Sequence, residues 1–211
     1  MAYWITTWLE IILTISEEDL RTVERQLGRE PRGVLAVERR CRWGYPQVIK
    51  VYPLLRHDGE WEVFPTLFWL TCPTLREQLS QLEHQGYIEK LEERLAEDEQ
   101  LREEYHRNHR EYIAERWAAL TEGDRLFVEE KGLARALKER GIGGLADWNK
   151  VKCLHLHYAH QLARGNALGR WLEEHFPLEE CPPERIICSA RGEFTKSSHS
   201  SIITRAVHPL S

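Results

Sequence analysis

The sequence has few of the features that make a protein class easy to recognise. Its 211 residues include no run of about 20 predominantly apolar residues of the kind that spans a bilayer. The apolar stretch at residues 1–16, MAYWITTWLEIILTIS, has no positively charged start and is interrupted by Glu10. It is more typical of a strand or a docking segment than of a signal peptide. We therefore expect a cytoplasmic protein with no membrane partner.

The chain also lacks the basic surplus of most nucleic-acid-binding proteins. It has 29 Lys and Arg against 34 Asp and Glu, a formal net charge of -5 and a pI near 6.1. Arg39, Arg40 and Arg42 form a small basic cluster, but such clusters are more often solvated strand ends. We predict that nucleic acid is not a partner, and the sequence does not indicate which small molecule or protein is.

Two further absences limit what can be said about chemistry. Five cysteines are present, but no two form a CxxC pair, which argues against a secreted disulfide framework and against paired zinc knuckles. No GxSxG, HExxH or Walker pattern occurs either. Whether the protein is an enzyme stays open at this point.

The residues that are present divide the chain into two parts. Three β-rich runs, at residues 33–41, 46–54 and 63–72, are joined by turns that contain glycine. From Thr74 onward apolar residues recur at helical spacing instead. We predict an α+β fold, in which a small antiparallel sheet near the N-terminal third packs against a larger, mainly helical remainder.

Length and composition predict the domain organisation. Residues 1–176 are expected to form a single α+β domain, since a chain of this size can bury one substantial core. Residues 177–211 are rich in proline and serine and lose the helical period. We predict that they form a peripheral, partly disordered tail.

Capping residues and glycines predict several helix boundaries. Helices are expected from Ser16 to Gly28, from Thr74 to Gly86, over residues 124–139 and over residues 148–164 after a cap at Asp147, and Asp98 is expected to begin a new helix.

The stretch VKCLHLHYAH, residues 151–160, concentrates one cysteine and three histidines. On a helical wheel Cys153, His157 and His160 share one face, and His155 lies on the opposite, apolar face. The i,i+4 spacing of Cys153 and His157 would allow both to bind one ion. Cys153 and His160 are about 10 Å apart along the axis and would not. A histidine on an apolar face, as His155 is, is more often a core residue than a ligand.

The leading hypothesis is a metal site formed by three separated cysteines. Cys41 and Cys72 end strand-like runs and Cys153 begins a predicted helix, where distant residues can meet without disturbing the core. Three cysteines with a histidine suit zinc, and three cysteines with one open position suit an iron–sulfur cluster. The choice between zinc and iron–sulfur stays open. Cys181 and Cys188, in the predicted tail, are a minor further option.

Two other functions are also compatible with the pattern. A metal-free cysteine enzyme would use Cys153 or Cys72 as nucleophile and a nearby histidine as base. A non-enzymatic interaction or scaffold protein would dock its partners through the acidic helices. In a catalytic version of the metal site, the assisting residues would be Lys50, Lys152 and His160. Free cysteines are also often simply buried, which explains the pattern equally well.

Four segments taken in order carry a family resemblance: RQLGREPRGVLAVERRC, FPTLFWLTCP, ERLAEDEQLREEYHRNHREYIAER and VKCLHLHYAH. They resemble the bacterial family called domain of unknown function 501, from about Arg25 to Gly169. The residues that match its pattern are Gly28, Pro31, Arg32, Gly33, Cys41, Lys50, Pro65, Thr66, Cys72, Pro73, Lys152, Cys153, His155 and His160. The resemblance implies cytoplasmic housekeeping, since such proteins are often encoded near cell-division and exopolyphosphatase genes, but no chemistry. His157 falls outside the pattern, so the resemblance favours His155 as fourth ligand, and both histidines stay candidates.

Overall fold

The computed structural model describes residues 15–57 and 60–189. The apolar N-terminal stretch and the second half of the predicted tail lie outside these ranges, so the interpretations of both stay predictions. None of the helices in the described ranges is long and apolar enough to cross a membrane.

The sheet of the N-terminal third is antiparallel, with three strands in the order β1-β2-β5. The strands are β1 Val34–Arg40, β2 Pro46–Val51 and β5 Phe68–Leu70. Between β2 and β5 the chain forms a separate hairpin of β3 Leu54–His57 and β4 Glu60–Val63. The predicted small antiparallel sheet is therefore confirmed. The hairpin of β3 and β4 was not predicted, because the sequence indicated only a turn between the second and third strands in this region.

Eight helices account for most of the remaining described chain, which confirms the α+β class. They are α1 Glu17–Leu27, α2 Pro73–His84, α3 Tyr87–Glu97, α4 Glu99–Ala118, α5 Glu122–Glu130, α6 Ala134–Lys138, α7 Leu154–Ala163 and α8 Ala167–His175. The predicted helix over residues 124–139 is two helices, because the chain turns at Gly132 with φ of 70°.

Capping explains where the helices begin. The Ser16 side chain accepts a hydrogen bond from the N–H of Asp19, and that of Asp98 accepts one from the N–H of Leu101. Both starts match the prediction. The start of α2 differs, because its N-cap is Cys72 and Pro73 occupies the first turn. Proline suits that position, since its fixed φ is helical and its missing N–H is not needed there.

Helix α7 begins later than predicted, at Leu154 instead of residue 148. Asp147 does not cap it, because its carboxylate accepts a hydrogen bond from the N–H of Asn149 at 2.9 Å and closes a local turn. The cap is supplied by another helix, since Glu83 Oε1 accepts a hydrogen bond from the N–H of Leu154 at 2.6 Å. Cys153 is consequently the extended N-cap residue, with φ of -163°.

The main core lies between the sheet and the helices, and α7 runs through it. This helix packs against β5, α2 and α8, and Tyr105 and Tyr112 from α4 close its other side. The face of α7 that carries His157 and His160 is therefore buried as well. The prediction of a single core face was wrong, because tyrosines of α4 cover the face that the wheel assigned to the polar side.

The chain continues to contact the body beyond residue 176. Leu178 packs against the main core, and Cys181 and Cys188 are buried. The Glu179 N–H donates to the Gln78 side chain at 3.0 Å, and the Gln78 amide donates back to the Glu179 carbonyl at 2.8 Å. Residues 177–189 are thus attached to the sheet end of α2, while the division into domain and tail stays a prediction.

Candidate functional site

Three reactive groups meet where α2 ends and α7 begins. Glu83 lies in the last turn of α2, Cys153 directly precedes α7, and His155 is the second residue of α7. Their carboxylate oxygen, sulfur and ring nitrogen all lie within 4.8 Å of one another. Among the described residues, no other set of three His, Cys, Asp or Glu side chains is this close.

Hydrogen bonds determine the protonation of His155. Its Nδ1 lies 2.9 Å from Glu83 Oε1, and its Nε2 lies 3.0 Å from the carbonyl oxygen of Arg76. A carbonyl oxygen only accepts, and so does an ionised carboxylate. Both ring nitrogens therefore face an acceptor, which favours the imidazolium form of His155, and the Ser80 hydroxyl lies 3.3 Å from Nε2 as a further partner.

The pKa values of the pair agree with this assignment. Burial lowers the pKa of His155, but hydrogen bonds to Cys153 and Glu83 outweigh burial and raise it to about 10. Burial raises the pKa of Glu83, whereas the hydrogen bonds from His155 and from the N–H of Leu154 outweigh it, so the pKa is lowered. At neutral pH a positive charge therefore stands beside the Cys153 sulfur, at the N-terminal end of a helix dipole.

The group opens into a cleft of about 640 Å³ between α2, α7 and β5. Apolar surface comes from Leu27, Trp69 and Leu70, positive charge from Arg76 and Lys152, and a single carboxyl group from Glu77. Lys152 Nζ donates to the carbonyl of Gly143 at 2.8 Å, which fixes its ammonium group near the rim. The cleft combines an apolar wall with two cations, as a site for a small acidic molecule would.

His157 and His160, also candidates from the sequence, lie elsewhere in the core. His157 Nε2 is 3.2 Å from the Tyr105 hydroxyl, and the His160 ring stacks on Phe68 at a centroid distance of 5.7 Å. Burial lowers the pKa of His157 far below its usual value and that of His160 to about 4. Both are neutral core residues. The i,i+4 argument for His157 fails, because Cys153 precedes the helix and does not share its wheel.

Lys50 is also separate from the cysteine group. Its Nζ lies 2.6 Å from Glu115 Oε1, and Arg164 approaches the same carboxylate at 2.8 Å. The predicted catalytic lysine is thus part of an ion-pair network between β2, α4 and the end of α7. Of the three predicted assisting residues, the structure places only Lys152 at the cleft.

The three-cysteine set is not brought together. Within the described part of the chain, Cys153 forms its group with Glu83 and His155, and neither Cys41 nor Cys72 belongs to it. Glu83 was missed by sequence reasoning. Its only signal was a place near the end of a predicted helix, and its role depends on how α2 packs against α7.

Comparison with known proteins places the chain in a family. A family model described as Protein of unknown function (DUF501) matches residues 37–174. Since the match covers more than half of the chain, the protein belongs to this family, as the sequence resemblance predicted. No curated protein and no solved structure matches the chain.

Proposed function

We propose that this protein is a thiol-dependent enzyme, with Cys153 as its nucleophile and the adjoining cleft as its substrate site. One observation carries the proposal: Cys153 and His155 line an open cleft, and Glu83 lies behind them in contact with His155. A nucleophile beside a histidine, which is itself oriented by a carboxylate, is the arrangement that activates cysteine in unrelated enzymes.

Each group has a distinct role in an acyl-transfer step. The Cys153 sulfur attacks an electrophilic carbonyl carbon, a C–S bond forms, and the carbonyl π electrons move to oxygen. When the C=O bond re-forms, the leaving group departs and takes a proton from the His155 imidazolium. Neutral His155 then takes a proton from a water molecule whose oxygen attacks the thioester carbonyl, and the C–S bond breaks, which restores the Cys153 thiolate and the His155 imidazolium. Glu83 touches no reacting atom and acts as a positioning residue for His155.

The cleft supports a substrate class. Arg76 and Lys152 provide two cations that would bind a carboxylate or phosphate group. Trp69 and Leu70 provide an apolar wall for the rest of the molecule. A small acidic molecule with an apolar body and a reactive carbonyl fits both features.

A metal ion on the same three residues is the second candidate function. It is favoured by the spacing of the three ligand atoms, all within 4.8 Å, and zinc accepts sulfur, nitrogen and carboxylate oxygen. An iron–sulfur cluster fits less well, since one cysteine supplies one thiolate. A metal would require His155 to turn a ring nitrogen away from Glu83 or Arg76 and lose its proton, which makes it the weaker candidate.

The test is the rate at which iodoacetamide alkylates Cys153, followed by peptide mapping between pH 5 and 9. We expect Cys153, which borders the open cleft, to be alkylated faster than the buried Cys72, Cys181 and Cys188, and we expect H155Q to slow that reaction about tenfold or more. H84Q is the matched control, because His84 is exposed and its ring nitrogen bonds only the Ser80 carbonyl.

Two results would overturn the thiol proposal. One is a rate of Cys153 alkylation that is no faster than that of the buried cysteines and is unchanged by H155Q. The other is complete protection of Cys153 by stoichiometric zinc in the purified protein, released by a chelator, which would establish the metal function instead.

A further inference from the structure

The four cysteines outside the cleft come from separate parts of the chain and converge at one end of the sheet. Cys41 follows β1 in a tight turn, where its N–H donates to the Tyr45 carbonyl at 2.9 Å. Cys72 caps α2 at the end of the segment that follows β5. Cys181 and Cys188 reach the same end from the C-terminal segment.

Cys181 lies between the first two cysteines. Its carbonyl oxygen accepts a hydrogen bond at 2.8 Å from the indole N–H of Trp43, two residues after Cys41. Its sulfur lies 2.9 Å from the hydroxyl of Thr74, two residues after Cys72. These two contacts hold Cys181 against both the β1 turn and the start of α2.

Cys188 lies over the start of β2. The Gln26 amide donates to the Cys188 sulfur at 3.1 Å and to the Pro46 carbonyl at 2.8 Å. Thr71, which precedes Cys72, donates to the same Pro46 carbonyl at 3.3 Å. Pro46 also pairs with the last residue of β1, directly before Cys41. The oxygen of the Gln26 amide is buried and has no hydrogen-bond partner among the described residues.

The hydrogen bonds at the buried sulfurs are of the kind that thiolate ligands accept. The backbone amides of Leu75 and Thr74 point at Cys72, the Gln26 amide at Cys188, and the Thr74 hydroxyl at Cys181. Donors of this kind orient metal-bound thiolates and stabilise their charge. Cys72, Cys181 and Cys188 are at most 6% exposed, which suits a structural rather than a substrate-binding metal site.

We propose that Cys41, Cys72, Cys181 and Cys188 bind one structural zinc ion, which joins the C-terminal segment to the sheet. Zn–S bonds of about 2.3 Å set tetrahedral sulfurs about 3.8 Å apart. In the described ranges no three of these sulfurs lie within 4.8 Å of one another, so binding draws them together. Cys41 and Cys188 stand in turns, where side-chain rotation meets the least resistance. The site is distinct from the Cys153 cleft and does not depend on the function proposed for it.

The test is the zinc content of the full chain, reduced and purified without chelator, together with two matched Cys→Ser variants. We expect one zinc per chain in the parent and in C153S, and loss of at least nine-tenths of it in C181S. Co²⁺ added to the metal-free parent should give the sulfur-to-metal charge-transfer bands of a four-thiolate site, unchanged by C153S. Chelation should speed amide exchange in residues 177–189 and leave α4 unaffected.

Circular dichroism checks that C181S folds, and C41S replaces it if it does not, since Cys41 is only half-buried. The proposal is overturned by a metal-free protein with free thiols, by a disulfide among the four cysteines, or by iron with acid-labile sulfide. Zinc that is lost in C153S and retained in C181S would also overturn it, and would assign the metal to the cleft group instead.

Discussion

Two histidines that lie only two residues apart on α7 have pKa values shifted in opposite directions from that of an ordinary imidazole. Hydrogen bonds to Cys153 and Glu83 raise the pKa of His155 to about 10 against the effect of burial, whereas burial lowers the pKa of His157 far below its usual value. His155 lies at the edge of a cleft beside a carboxylate. His157 lies among His109, His160 and Tyr105, with no acid in contact.

The difference shows how one helix can serve packing and chemistry together. The first turn of α7 meets the end of α2, where Glu83 provides charge, and the later turns enter the core, where charge is excluded. Both residues are histidines, so residue type does not distinguish the two roles. The roles differ because the fold places different neighbours around each ring. Substitutions at the two positions should therefore affect different measurements.

The largest expected effect is acid destabilisation by the buried histidines. Burial lowers the pKa of His109 to about 3 and that of His160 to about 4, and lowers that of His157 as well. Below pH 6.5 the unfolded chain binds protons that the folded chain does not, so stability falls with pH. Each histidine contributes up to about 1.4 kcal/mol per pH unit to the slope of the unfolding free energy, and the three together contribute up to about 4 kcal/mol per pH unit. Urea unfolding at pH 7, 6 and 5 measures the slope.

A variant identifies the source of that slope. H160Q should reduce this slope by about 1.4 kcal/mol per pH unit, whereas H155Q should leave it unchanged, because the pKa of His155 is raised and not lowered. An unfolding free energy that is level between pH 7 and 5 would contradict the assignment of three neutral histidines.

The next effect is the loss of packing at His157. Its side chain is fully buried, and its Nε2 lies 3.2 Å from the Tyr105 hydroxyl. H157A should lower the free energy of unfolding by about 2–4 kcal/mol, because the core keeps a cavity and Tyr105 loses a partner. Urea unfolding at pH 7 measures it, with H84A as the exposed control, expected to change stability by no more than about 0.5 kcal/mol. If the two substitutions changed stability equally, the placement of His157 in the core would be contradicted.

Sequence patterns predicted the elements better than their meeting points. The antiparallel sheet followed from β-rich runs between glycine turns, and the start of α1 at Ser16 and of α4 at Asp98 followed from local capping. Such features depend on residues close together in the chain. The start of α7 did not follow, because its cap is Glu83, distant in sequence.

The candidate site was predictable only in part for the same reason. Cys153 was identified from its place at a helix start, and Lys152 from its neighbour. The wheel assigned His157 to the side of Cys153, because it assumed that the helix began before the cysteine. The contacts of Cys181 and Cys188 with the sheet end depend on tertiary packing, which no spacing in a proline-rich segment indicates.

A third prediction concerns the alkaline side of the comparison. His155 keeps a proton in the folded protein that the unfolded chain loses, so its contribution to stability is complete below pH 6.5 and is lost as pH rises toward 10. The ring is 25% exposed, which reduces the effect to about 1–2 kcal/mol between pH 7 and 9. H155Q should remove this decline while leaving the acid slope intact. A decline that persists in H155Q would have to come from another group.

The smallest expected effect tests whether Lys50 acts with the cleft. Lys50 lies 2.6 Å from Glu115, and Glu115 keeps a second partner in Arg164 at 2.8 Å. K50M should therefore cost only about 0.5–1 kcal/mol of stability, since the carboxylate stays paired. The rate of Cys153 alkylation should not change, because the ion-pair network and the cleft are separate.

R164M is the matched control and should cost more stability, since both Glu115 and Glu38 lose a partner. Slower alkylation in K50M, with stability preserved, would show that the two sides of α7 are linked and would restore Lys50 as an assisting residue.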